Sequence, residues 1–187
     1  GTHGKTTMSA MIAHILRDSG YGCNAFLGGV STNYNTNFWP QIPVEASGAS
    51  EKNVCVVEAD EFDRSFLQLK PDVAIISAMD ADHLDIYGTE EAMQDAFVEF
   101  SEKIKPHGLL LSKYGLKKDK ELKAPVHVRY SLQNDAADIY ASNITMSNGS
   151  STFDVMTADW PLQNIVLNLG GMHTVYIVVE AIAVDHK

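Results

Sequence analysis

Positive charge is scarce: 14 Lys and Arg stand against 24 Asp and Glu in 187 residues, a formal net charge of −10. Duplex nucleic-acid binders draw their affinity from Lys and Arg that neutralise phosphates, so nucleic acid is not expected as a partner. A small anionic ligand stays open, because a local cradle of backbone N–H groups holds one whatever the net charge. Cysteine is nearly absent. Cys23 and Cys55 lie far apart and give neither a disulfide framework nor a zinc spacing. Each sits in an apolar run, and both are expected to be buried, reduced and structural, in keeping with a cytoplasmic protein. No stretch reaches the ~20 apolar residues that span a bilayer, and no basic segment leads into an apolar one, so a membrane is not expected as a partner either. Repeats and low-complexity tracts are missing. So is an initiator Met: the chain opens on Gly1-Thr2-His3-Gly4-Lys5-Thr6-Thr7. A phosphate-binding loop normally follows a strand, so truncation at the N-terminus is expected.

What is present is a chain that is 45% hydrophobic, enough to give one domain a core. Met8, Met11, Ile12, Ile15 and Leu16 recur at helical spacing over residues 5–19, and Ser19-Gly20 and Gly22 stop that helix. Cys23–Leu27 reads as a short strand ending in Gly28-Gly29, and residues 31–50 as a solvated loop with Asn33, Asn35 and Asn37 as turn formers. Trp39 is expected to pack locally or to meet substrate from that loop. Val54–Val57 and Val73–Ile76 are β-branched without polar alternation, which predicts strands covered on both faces. Ser65–Leu69 suits a short helical turn. A longer helix over about 90–104 has Thr89 as N-cap and Met93, Phe97, Phe100 and Ile104 as its core stripe. Leu109–Leu111 begins another strand. Beyond about residue 125 come short strand candidates at Val126–Tyr130, Ile139–Met146, Ser151–Met156 and Ile165–Leu169, with Asn148-Gly149 as a hairpin turn. They read as an antiparallel appendage on a parallel α/β core. An apolar helix at Val175–Val184 closes the chain. The five lysines between Lys113 and Lys123 read as a solvated face, and His14 and His107 carry no assigned role.

Gly4-Lys5-Thr6-Thr7 opening an amphipathic helix is the second half of a phosphate-binding loop. The glycine admits a phosphate, the helix N-terminus supplies N–H donors, Lys5 reaches the β/γ-phosphates and the Thr6 hydroxyl can ligate Mg²⁺. The acidic strand ends are the second clue. Glu58-Ala59-Asp60-Glu61 and Asp80-Ala81-Asp82-His83 each follow a buried run, and open α/β sheets bind ligands beyond the carboxyl ends of their strands. A carboxylate there holds Mg²⁺, and a neutral imidazole can ligate a second divalent ion. Singly, the blander readings are a solvated acidic loop and a surface histidine; placed together behind a Gly-Lys-Thr turn, Glu58 and His83 read as a site shared with Lys5.

Taken together, Gly1–Thr7, Glu58-Ala59-Asp60-Glu61 and Asp82-His83-Leu84-Asp85-Ile86-Tyr87 resemble the central domain of the Mur ligases. His3, the run Asn24-Ala25-Phe26-Leu27-Gly28-Gly29 and the Asp-His-x-Asp-x-Tyr pattern are most similar to the member that adds L-alanine. The resemblance covers nearly the whole chain. It implies a P-loop-type, mostly parallel sheet flanked by helices with a small antiparallel appendage. The core would span about 1–125, antiparallel strands about 126–169 and a closing helix about 172–185. It also implies an N-terminal UDP-binding domain and a C-terminal domain of the same protein, both outside this chain.

For activity, the resemblance implies ATP-dependent amide formation between the lactyl carboxylate of UDP-N-acetylmuramate and L-alanine through an acyl phosphate, in peptidoglycan biosynthesis. The isolated fragment is expected to be inactive. Gly1, Thr2, His3, Gly4, Lys5, Thr6, Thr7 and His173 would bind ATP; Thr6, Glu58 and His83 would hold Mg²⁺; Lys5, Glu58 and His83 would carry the chemistry. Two departures are visible: the family's Asn after the histidine of Gly171-Met172-His173 is Thr174 here, and a further Asn is Ile177. No lysine lies from Thr89 to Glu102, so the carbamylated lysine of several sister ligases is not expected. Alternatives remain: a P-loop binding module without catalysis, favoured by Thr174 and Ile177; a ligase that recycles muropeptides by attaching a tripeptide to the same sugar; and, second in class to the ligases, a P-loop NTPase that ligates nothing, with Asp60 as its aspartate. The NTPase reading leaves Asp82-His83 without a task.

Overall fold

The computed structural model describes residues 4–40, 54–80, 82–168, 171–172, 174–176 and 178–179. The chain divides into two compact units, one of Gly4–Ala59 and one built on Asp60–Lys187.

In the first unit, helix α1 (Lys5–Asp18) packs against a three-stranded sheet of β1 (Asn24–Ser31), β2 (Thr36–Trp39) and β3 (Cys55–Val57), in the order β2-β1-β3. The helix buries Met8, Ser9, Ile12 and Ala13 and carries Arg17 in its last turn, where a cation suits the carbonyl end of the dipole. It stops where Gly20 and Gly22 turn left-handed and their N–H groups bond back to Arg17 and Leu16. β3 runs parallel to β1 and β2 antiparallel to it. Ala13, Cys23, Ala25, Leu27 and Trp39 form the core.

Three expectations are corrected in this unit. The strand predicted to end at Leu27 continues through Gly28-Gly29 to Ser31, and part of the presumed loop pairs with it as β2. The turn between them is Asn-rich as expected, with Asn35 at φ 51°. Trp39 is buried at the end of β2, its Nε1–H donating to the Thr36 carbonyl at 3.1 Å and its ring against Tyr34, so the local-packing reading holds. Finally, β3 is not covered on both faces: Cys55 is exposed while Cys23 is buried. The reason is that α1 covers one face of the sheet, whereas Phe26, Phe38 and Val57, aligned across the three strands, remain exposed on the other.

The second unit is one six-stranded sheet, ordered β4 (Val73–Ile76), β5 (Leu109–Lys113), β6 (Val126–Leu132), β7 (Ile139–Ser147), β8 (Ser150–Met156) and β9 (Leu162–Leu167). β4 to β7 pair parallel; only β8 and β9 are antiparallel. The antiparallel region therefore begins at β8, not near residue 126. A short connection suffices between β6 and β7 because they overlap in three pairs only, Tyr130↔Ile139 to Leu132↔Ala141, so the chain steps back a few residues rather than a full strand. Asn148 and Gly149 adopt φ 50° and 77°, the backbone that a two-residue hairpin demands.

One face of this sheet holds Leu111, Tyr130, Ile139, Ala141, Phe153 and Val155 under Val175 and Val179. Short helix α2 (Leu84–Tyr87) and helix α3 (Glu90–Glu102) follow β4. The Thr89 hydroxyl accepts the Ala92 N–H at 3.1 Å as the N-cap of α3, and Met93, Phe97 and Phe100 are buried. Phe66, in the helical turn Ser65–Gln68, stacks on Phe97 and Phe100 at 5.5 and 5.1 Å. Burying each such side chain contributes about 1.5–3 kcal/mol. By contrast, Lys117, Lys118 and Lys123 pair at the surface with Glu90, Asp95 and Glu102, where solvent screens the attraction. The apolar stripe, not the lysine run, holds α3. Among the described residues no helix is long and apolar enough to cross a membrane.

Candidate functional site

Helix α1 begins without the usual protections. Its N-cap, Gly4, is left-handed at φ 85°, makes no side-chain capping bond, and no acid lies in the first turn. The N–H groups and partial positive charge of a helix start thus have no anionic partner within the helix's own sequence. The carboxylate of Glu58, just past β3, lies beside this helix start and meets it through a side chain. The Glu58 N–H extends the β1/β3 ladder by donating to the Phe26 carbonyl at 2.9 Å. Its carboxylate then accepts the Thr6 hydroxyl on Oε1 at 2.9 Å and the Gly28 N–H on Oε2 at 2.6 Å. Lys5 is the first residue of α1 and half-buried, and Thr7 is exposed beside it.

Gly28 is required by the approach. A Cβ there would lie 2.8 Å from both Glu58 carboxylate oxygens, and one on Gly29 would lie 3.2 Å from Thr6 Cγ2. Read from sequence, the glycine pair looked like the end of a strand. The usable signal was glycine inside a strand, which marks a close approach by another group.

In the second unit, His83 lies past the carboxyl end of β4 as the left-handed N-cap of α2, at φ 52°. Its N–H donates to Asp82 Oδ1 at 2.9 Å, and its Nε2 lies 3.5 Å from Asp82 Oδ2. Phe62 meets the imidazole edge-on at 5.0 Å. The acidic loop is ordered by its own turns: Asp60 Oδ1 accepts the Phe62 N–H at 3.3 Å and Asp63 Oδ1 the Ser65 N–H at 2.9 Å. Hydrogen bonds from Ser65 hold the Asp63 carboxyl below its ordinary range, and burial pushes the Tyr87 phenol up.

The structure therefore brings Thr6 and Glu58 together in the first unit, and Phe62 and Tyr87 up to the Asp82–His83 segment in the second. Gly1, Thr2, His3, His173 and Ile177 lie outside the described residues. Thr174 donates its hydroxyl to the Gly171 carbonyl at 2.5 Å.

The donor set can be tested against Mg²⁺. Among the described residues no group of three or more His, Cys, Asp and Glu could hold a metal ion, which leaves no protein cage of the zinc or calcium kind. Thr6 Oγ1 and Glu58 Oε1 are two hard oxygens 2.9 Å apart at a helix N-terminus. That fits Mg²⁺, which takes one or two protein oxygens and completes its shell with phosphate and water.

The family model described as Mur ligase middle domain matches residues 1–184. The UDP-N-acetylmuramate–L-alanine ligase of Cytophaga hutchinsonii is 41% identical over 189 residues, covering 100% of this chain and 39% of its own length. The chain thus spans about two fifths of that relative. Among solved structures, the UDP-N-acetylmuramate–alanine ligase of Thermotoga maritima superposes with a TM-score of 0.80 at 23% identity, over 98% of this chain and 39% of that one. The UDP-N-acetylmuramate:L-alanyl-γ-D-glutamyl-meso-diaminopimelate ligase of Neisseria meningitides gives 0.82 at 24%, over 100% and 59%. At those identities the two structures speak for the fold alone.

Proposed function

The chain belongs to the Mur ligase middle-domain family, and from that premise we propose that it is the ATP-binding central domain of a UDP-N-acetylmuramate–L-alanine ligase. The reaction joins the lactyl carboxylate of UDP-N-acetylmuramate to L-alanine. The carboxylate attacks the γ-phosphorus of ATP, the bond to the β-phosphate oxygen breaks, and ADP departs. The alanine amine then attacks the acyl phosphate and phosphate leaves. The observation that carries the reading is the pairing of Thr6 and Glu58 at the uncapped start of α1, stated above with its distances.

Each residue has a task in this reading. The N–H groups of the α1 start bind phosphate oxygens, and Lys5 sets a positive charge against the anion of the attacking carboxylate. Thr6 and Glu58 would hold Mg²⁺, and His83 would hold a second divalent ion. Bound Mg²⁺ supplies charge neutralisation and fixes the phosphate oxygens. Gly28 and the Thr6 hydroxyl keep Glu58 oriented before any ligand arrives, so little reorganisation is needed. The grip on UDP and on the amino acid belongs to other parts of a longer protein. A cytoplasmic location accompanies this reading, since its substrates are soluble nucleotides and an amino acid.

The choice of L-alanine over a tripeptide rests on the curated relatives, which share this name at 40–46% identity. The test is ADP release from the intact protein with UDP-N-acetylmuramate and a panel containing L-alanine, other amino acids and the tripeptide. L-Alanine should be used best, and Lys5→Ala should lower turnover by orders of magnitude without unfolding the chain. Best use of the tripeptide would move the protein to the recycling class. ADP release indifferent to both sugar and amino acid would leave only an NTPase.

A further inference from the structure

Tyr87 is used by nothing in the chemistry above, yet it closes a ring of contacts around His83. From His83 the chain runs through α2, whose first turn is fixed by the Ile86 and Tyr87 N–H groups on the His83 carbonyl at 2.9 and 3.1 Å. Tyr87, the last residue of α2, is 5% exposed and donates its hydroxyl to the Glu61 carbonyl at 2.6 Å. Arg64, itself left-handed at φ 61°, places its guanidinium 4.7 Å from the centre of the Tyr87 ring. The next residue after Glu61 is Phe62, which returns to His83 edge-on at 5.0 Å and 87°. The path His83, α2, Tyr87, Glu61, Phe62 and back to His83 is therefore closed.

We propose that Tyr87 is a positioning residue: through the Glu61 carbonyl it holds Phe62 against His83 and so fixes where the imidazole sits. A left-handed backbone is uncommon for any residue other than glycine and persists where its surroundings hold it. At His83 the ring of contacts supplies that restraint. The inference rests on the proposed function only for what the fixed imidazole then does.

Tyr87→Phe keeps the ring and removes one oxygen, which makes it the informative variant. In the full chain with isotope-labelled histidine rings, the His83 ring resonances are expected to move toward those of an exposed histidine. His127, elsewhere in the same unit, should stay in place. In the ADP-release assay the half-saturating Mg²⁺ concentration should rise about fivefold to tenfold, as expected for one lost buried hydrogen bond. A loss of thermal stability with unmoved His83 resonances and an unmoved Mg²⁺ titration would overturn the inference and leave Tyr87 merely structural. Should Tyr87→Phe fail to fold, Phe62→Leu breaks the next link and is expected to raise the same Mg²⁺ concentration; a wild-type value there overturns the inference equally. If the wild-type protein itself shows no Mg²⁺-dependent ATP consumption, the ligase reading fails, while moved His83 resonances in Tyr87→Phe still uphold the positioning.

Discussion

Gly28→Ala separates the fold from the site more sharply than any other single substitution. The added methyl would sit 2.8 Å from both Glu58 oxygens and 2.9 Å from the carboxyl carbon, whereas ordinary contact begins near 3.4 Å. Something must therefore give by about 0.6 Å, and the group that can give is the end of a flexible side chain rather than backbone. Gly28 lies in β1 and is not among the residues with positive φ, so its backbone accepts a side chain. Replacing such a glycine lowers the entropy of the unfolded chain and stabilises by about 0.4–1 kcal/mol. That gain offsets part of whatever the displaced carboxylate loses.

Glu58, in contrast, loses its place. Its bonds from Gly28 N–H and the Thr6 hydroxyl are both charge-assisted, a class worth roughly 1.5–3 kcal/mol each. Disrupting one of them weakens a metal site that depends on the carboxylate by about tenfold or more, since 1.4 kcal/mol is a factor of ten. The assay pairs urea unfolding with a Mg²⁺ titration of ADP release in the intact protein. The expected pattern is a loss of stability no larger than one such bond less the entropic gain, with a half-saturating Mg²⁺ concentration raised at least tenfold. An unchanged titration would refute the role given to Glu58; a loss of several kcal/mol of stability would refute the claim that only the carboxylate yields.

Other consequences follow from the packing. At Gly108 a Cβ would lie 2.5 Å from Ile104 Cγ2 and 2.6 Å from the Asp72 carbonyl oxygen. Backbone cannot yield there, and Gly108→Ala should cost about 1–3 kcal/mol, measurable by denaturant unfolding. Thr89→Ala removes the N-cap of α3 and should cost about 1 kcal/mol in the same measurement, with no effect on Mg²⁺ dependence. His127, bonded to Ser112 Oγ at 2.8 Å, has its pKa lowered by burial first and by Arg129 second, against the opposing pull of Asp119 and Asp138. Because the fold keeps this imidazole neutral, its contribution to stability is complete above the ordinary histidine value and is lost as pH falls toward the lowered one. His127→Gln should flatten the acid side of the stability–pH curve, and an unchanged slope between pH 7.5 and 5 would contradict that assignment.

Local signals carried further in the sequence than pairing did. The α1 stripe, the Thr89 cap and the Asn148-Gly149 turn were legible because each is written within a few consecutive residues. Glu58 and His83 stood out as candidates because acids and a histidine follow apolar strands. What was not legible depends on partners distant in sequence. The direction of β6 and β7 hangs on a three-pair overlap that no local pattern announces. The exposure of Cys55 and Val57 depends on which face of the small sheet α1 covers. The task of Gly28 is visible only once residue 58 is brought back across 30 positions.

On the proposed reading, that long-range return would give a divalent cation a place at the start of α1. The start of α1 offers N–H groups and partial positive charge, and the Glu58 carboxylate lies beside it, bonded to the Thr6 hydroxyl. A triphosphate seated at the same helix start meets Glu58 as a like charge, and Lys5 alone cannot offset both. Exchanging the carboxylate for the phosphate would break the bonds from Thr6 and Gly28. Keeping both would call for a cation, which Glu58 and Thr6 would hold and whose charge would offset the repulsion. The hydroxyl of Thr6 can serve in both bonds at once, since it donates its one proton to Glu58 and retains lone pairs for a metal.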